Sequence, residues 1–134
     1  MVAPSPASAR VARNPIPRSR IAVAVVPADR AEIHRLARRR VVAIDFFTSH
    51  RCGVTLGDLT VRLLDGALPP RFVALASLDG LRLAVHRRLV ELLERAGPSL
   101  HVDGPPFARR LTVRLDDPAA WIGFLETPAA LRPD

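Results

Sequence analysis

Strand-sized apolar runs alternate along this chain with three stretches whose apolar positions recur every three to four residues. "IAVAVV" (21–26) is unbroken and short, the pattern of a buried strand. "ADRAEIHRLARRR" (28–40) reads as a helix with Ile33, Leu36 and Ala37 on one face, and Asp29 and Glu32 stand at the spacing of a capping box. "VVAIDFF" (41–47) is strand-like, and "TSHRCG" (48–53) reads as a loop after it.

In "VTLGDLTVRLL" (54–64), Val54 and Leu56 share one parity while Leu59, Val61 and Leu63 share the other. The phase flips at Gly57-Asp58, which predicts a bulge or tight turn there. "RFVALASL" and "LRLAVH" flank Asp79-Gly80, the pair most characteristic of a two-residue hairpin loop. "RRLVELLERAGP" (87–98) is the clearest helix, with Gly97 suited to its C′ position and Pro98 to stop it. "SLHV" and "RRLTVRL" read as two more strands, and Asp117-Pro118 as the N-cap and first residue of a C-terminal helix "PAAWIGFLE". The predicted order is β-α-β-β-β-β-α-β-β-α, an α+β fold with a mainly antiparallel sheet.

Composition narrows the picture. Apolar residues make up 49 % of the 134, but aromatics only 4 %, so aliphatic side chains must fill the interior. The prolines at 4, 6, 15 and 17 and the absence of acids mark residues 1–20 as a disordered basic arm. A single α+β domain is expected over 21–127, with a short tail over 128–134. No apolar run approaches the roughly 20 residues of a transmembrane helix. With a single cysteine there is no intrachain disulfide, and the expected setting is reduced, intracellular and cytoplasmic.

Every one of the 20 basic residues is arginine, and the net charge is +7. Residues 1–40 carry nine arginines against Asp29 and Glu32, whereas eleven of each sign balance over 41–134. The excess therefore sits in the arm and first helix. Arg10, Arg13, Arg18, Arg20, Arg35, Arg38, Arg39 and Arg40 are the candidates for contacting nucleic acid or an acidic partner.

Candidate chemistry centres on Cys52 and His50. A thiolate and an imidazole are ligands for a soft metal, but one chain supplies half a tetrahedral shell, so a metal or iron–sulfur cluster requires two subunits and hence a homodimer. The alternative is that Cys52 packs as a small apolar residue beside a Gly turn. "VVAIDFFTSHRCG" resembles the thioredoxin active-site strand and turn, but Thr55 stands at the second cysteine position, which excludes dithiol exchange.

A wider resemblance covers residues 28–116. "RCG" (51–53), "DGLRLAVHRRLVELL" (79–93) and "LHVDG" (100–104) fall in the order of the first cysteine turn, the Gly-Val segment with its helix, and the following strand of the A-type iron–sulfur carrier family. That resemblance implies Cys52 as a ligand. The family's C-terminal cysteine pair is absent from "DGPPFARRL", which puts cluster transfer of the usual kind in doubt. His34, His86 and His101 show no ligand spacing, and no nucleophile elbow, phosphate loop or zinc-protease motif occurs. The expected function is a non-catalytic accessory or binding domain, acting on a protein partner and holding no cofactor unless one is shared between subunits.

Overall fold

The computed structural model describes residues 21–131, and the element order along them is the one the sequence predicts. β1 (Ala24–Val25) leads through a 3-10 turn (Pro27–Asp29) into α1 (Arg30–Ala37). β2 (Val41–Arg51) and β3 (Val54–Leu64) form a long hairpin, and β4 (Phe72–Ala74) and β5 (Arg82–His86) a short one. A turn at Arg87–Leu89 opens α2 (Val90–Ala96), after which come β6 (Pro98–Asp103), β7 (Arg110–Leu115), α3 (Ala119–Leu125) and a last 3-10 turn, Pro128–Ala130.

The strands make two sheets, ordered β1-β6-β7 and β3-β2-β5-β4. β2–β3, β4–β5 and β6–β7 pair antiparallel, while β1–β6 and β2–β5 pair parallel. The result is an α+β fold with mainly antiparallel pairing. No helix among the described residues is long and apolar enough to cross a membrane.

The core follows the side-chain period of two along β2. Val42 packs with Ile33 and Ala37 of α1 and with Leu83, Leu100 and Leu111 between the sheets. Ile44, two residues on, joins Val85, Leu89, Leu92, Leu93 and Ala96 under α2, with Phe124 of α3 and Ala130 closing that cluster. Val41 and Ala43 point the other way, against Phe72 and Ala84. The start of β2 is thus covered on both sides, which its unbroken apolar sequence requires. Burial of each large aliphatic side chain contributes about 2 kcal/mol.

Several local expectations are corrected. Asp29 does not cap α1. The preceding 3-10 turn holds it at φ −100°, ψ −1°, away from the extended N-cap geometry, and its carboxylate accepts instead from the Val102 N–H of β6 at 3.0 Å. α1 ends at Ala37 rather than at residue 40, because the chain must reverse before β2 begins at Val41. Arg38 and Arg39 take left-handed backbone angles (φ 42° and 62°), and the Arg40 guanidinium folds back to donate to Leu36 O (2.8 Å) and Ala37 O (3.3 Å). The side chain of Asp117 makes no cap bond; its carbonyl accepts from Ala120 N–H and α3 starts at Ala119.

The hairpin carries the largest corrections. "TSHR" is not loop but strand, so that the connection shrinks to Cys52 and Gly53. Both sit at positive φ (52° and 77°), the type I′ geometry whose twist suits a two-residue hairpin. Nor is there a bulge at Gly57-Asp58. The ladder runs without interruption from Val41↔Leu64 to Arg51↔Val54. The phase flip therefore means that Val54 and Leu56 occupy the face opposite to Leu59, Val61 and Leu63.

Candidate binding surface

Beyond Phe46 the β2–β3 hairpin runs past the end of its pairing with β5 and is covered on one face only. On its inner face, Phe46 meets Trp121 and Phe124 edge-on at centroid distances of 6.3 and 5.3 Å, and those two rings stack on each other. Trp121 Nε1–H donates to Gly57 O at 3.2 Å, and Thr48 Oγ1–H donates to Ala130 O at 2.7 Å. A side chain on Gly57 would overlap the carbonyl oxygen of Phe47, so close approach of the two strands requires glycine there.

The outer face has no such cover. Its cross-strand pairs are Phe47↔Asp58, Ser49↔Leu56 and Arg51↔Val54. Phe47 is 61 % exposed, Leu56 58 % and Val54 53 %, half of the six large apolar residues that stand exposed among those described. Val54 and Leu56 also border a groove of about 830 Å³ whose far wall is Ile122, Leu125 and Leu131, so the apolar surface continues around the β3 edge. A charge stands at each of two opposite corners. Neither Arg51 nor Asp58 makes an ion pair among the described residues; Asp58 Oδ1 accepts only the neighbouring Leu59 N–H, at 3.1 Å.

Cys52 is exposed at the tip. His50 stands two residues before it, and His50 Nδ1 shares a 3.0 Å hydrogen bond with Thr55 Oγ1 across the ladder. No group of three or more His, Cys, Asp or Glu side chains gathers among the described residues, so Cys52 and His50 are the donors one copy can offer a metal there. What the pair can do alone is offer an accessible thiol.

The arginines divide. Arg10, Arg13, Arg18 and Arg20 lie outside the described residues. Arg35 is paired with Glu32, an ion pair that lowers the Glu32 pKa, and Arg40 is taken up in closing α1. Arg38 and Arg39 are exposed, and their guanidinium groups form no ion pair among the described residues. The structure thus leaves two of the four described candidates free to meet an anion.

The other histidines, with Asp45 and Asp79, serve the fold. His86 is fully buried between Phe46 and Phe72, and its Nδ1 accepts from Arg88 N–H at 3.1 Å. Asp45, 4 % exposed, is held by Arg62 Nε at 2.7 Å and by Phe46 N–H at 2.8 Å. His101 shares a 2.9 Å hydrogen bond with Ser99. His34 turns Nδ1 to Arg30 O (3.0 Å) and Nε2 to Asp79 O (2.8 Å), carbonyl oxygens that favour a doubly protonated ring and raise its pKa. Asp79 is also salt-bridged to Arg30, so α1 is clamped to the β4–β5 turn.

Sequence reasoning missed the outer-face patch. Its signal was the parity flip in β3, which marks two apolar residues on the solvent side as readily as it marks a bulge. No family model, curated protein or solved structure matches this chain.

Proposed function

We propose that this protein is a non-catalytic binding domain that engages a protein partner through the projecting β2–β3 hairpin. One observation carries the reading: Phe47, Val54 and Leu56 crowd one uncovered hairpin face and make up half of the six large apolar residues exposed among those described. Exposed apolar side chains gathered on one surface mark interaction sites in folded proteins. A cytoplasmic setting belongs to the same proposal, since Cys52 is an exposed free thiol.

A photo-crosslinking residue at position 56, compared with one at exposed Glu91, tests it in cells. Adducts from position 56 and none from 91 are expected; no adduct from either position defeats the reading. So does substrate turnover by the purified protein that Cys52→Ala abolishes.

Two further readings rest on separate observations. The strand-then-helix order of "DGLRLAVHRRLVELL" and a cysteine on an exposed turn support a degenerate iron–sulfur-carrier-like scaffold, with Cys52 and His50 of two subunits completing a metal site. Colourless, metal-free protein from anaerobic purification counts against it. The unpaired Arg38 and Arg39 support contact with nucleic acid or an acidic partner, for which the affinity must fall steeply with salt.

A further inference from the structure

We infer that the outer face of the β2–β3 hairpin is a self-complementary contact. Two copies of this chain pack it face to face with their hairpins running in opposite directions. Leu56 then meets the partner's Leu56 on the two-fold axis, and Arg51 reaches the partner's Asp58. The inference rests on the binding-surface reading above and names its occupant.

Along the outer face the order from base to tip is Phe47/Asp58, Ser49/Leu56, Arg51/Val54. The positive charge lies on β2 at the tip and the negative one on β3 at the base, with Ser49 and Leu56 midway. An isologous contact presents the same patch from both sides, so each charge must face something the patch itself contains.

Two face-to-face registers exist. With the hairpins parallel, Arg51 lies beside the partner's Arg51 and Asp58 beside the partner's Asp58, both repulsive. With the hairpins antiparallel, each Arg51 comes over the partner's Phe47, one strand away from the partner's Asp58. That spacing of about 4.8 Å is within reach of an arginine side chain, and the cation also gains the face of a ring. The two unpaired charges find opposite partners twice, and the apolar centre closes on itself.

The inner face is not available for the same contact, because Trp121, Phe124 and the turn at Pro128–Ala130 already occupy it. Three apolar side chains per copy make a small interface, below the roughly 1,200 Å² of standard complexes, so the dimer is reversible and concentration-dependent. The antiparallel register also separates the hairpin tips. Each Cys52 lies three residues from the axis, which puts the two about 20 Å apart.

Sedimentation velocity on the full chain, up to roughly 500 μM, is the test, because weak contacts become populated only at such concentrations. Wild-type protein is expected to pass from monomer to dimer over the series. Leu56→Asp is expected to remain monomeric with an unchanged circular dichroism spectrum and urea midpoint. Arg51→Asp and Asp58→Arg are each expected to weaken dimerisation by about tenfold, and the double exchange to restore it.

A wild-type chain that stays monomeric overturns the inference, as does a dimer indifferent to Leu56→Asp or a double exchange that fails to restore. Rapid Cys52–Cys52 disulfide formation in the dimer overturns it too, since a disulfide needs Cα atoms within about 7 Å. Crosslinks from position 56 to a different protein, combined with a monomer in sedimentation, refute the self-contact and leave the binding-surface reading standing.

Discussion

From Val41 to Asp45, β2 is buried on both faces; from Phe47 to Arg51, the same strand on the same ladder lies open to solvent on its outer side. On β3 the change is weaker: Thr60 and Leu64 are half-buried on that side, whereas Arg62, Asp58, Leu56 and Val54 are exposed. The sequence of the distal half is no poorer in large apolar residues on that outer face, where Phe47, Val54 and Leu56 succeed Val41 and Ala43. What differs is the neighbours. β5 pairs with β2 only as far as Ile44, and β4 with its flanking turn ends there too. Apolar residues are therefore core in one half and exposed surface in the other, and the reach of the neighbouring segments decides which.

Substitutions sharpen that contrast in a definite order. Ile44→Ala, in the covered half, should cost about 3–4 kcal/mol in urea unfolding, because a fully buried branched side chain leaves a cavity under α2. A loss below about 1 kcal/mol would show the proximal core to be loose. Gly57→Ala, at the junction with α3, should cost about 2 kcal/mol, since the added methyl overlaps Phe47 O and displaces the strand that Trp121 holds.

The distal half should respond weakly or with the opposite sign. Cys52→Asn is expected to stabilise by about 0.5 kcal/mol, because asparagine tolerates the left-handed backbone of the turn better than cysteine does. Leu56→Asp should alter stability by less than about 0.5 kcal/mol while abolishing self-association. If it unfolds the protein instead, the outer face is structural and the contrast fails.

The smallest effect belongs to the clamp at the covered end. The His34 pKa is raised, first by the Asp79 carbonyl and then by that of Arg30, so the folded state prefers the protonated ring. Its contribution is complete below the unfolded value of 6.5 and disappears as pH climbs through the higher folded value. Because the ring is partly exposed, the expected fall in Tm above that range is only about 2 °C, and His34→Gln should remove it.

Periodicity and punctuation made most of the fold readable. The Leu spacing of "RRLVELLERAGP" yields α2, with Gly97 left-handed at its end, and Asp79-Gly80 forms the two-residue turn it announces. What failed was reading side-chain bonds from local spacing. Asp29 and Asp117 each stand where a cap belongs, yet a strand 73 residues away claims the first and the second caps nothing through its side chain. "TSHR" failed for a related reason: polar residues in a projecting hairpin look like loop, because the ladder that makes them strand lies in β3. Of the candidate site, the tip pair His50 and Cys52 was legible as residues. The patch beside it was not, since local parity cannot tell which face of a strand will be left bare.

A ladder without a bulge also constrains how this protein can drift in length. Adding one residue to each arm of the hairpin turns the tip over, presenting the thiol and the basic corner to the opposite side. Adding two to each arm restores the presentation and carries the tip about 7 Å farther out. Descendants of this chain should therefore inherit hairpin lengths in steps of four residues, and an odd insertion in either arm should surface only where the outward contact has been abandoned.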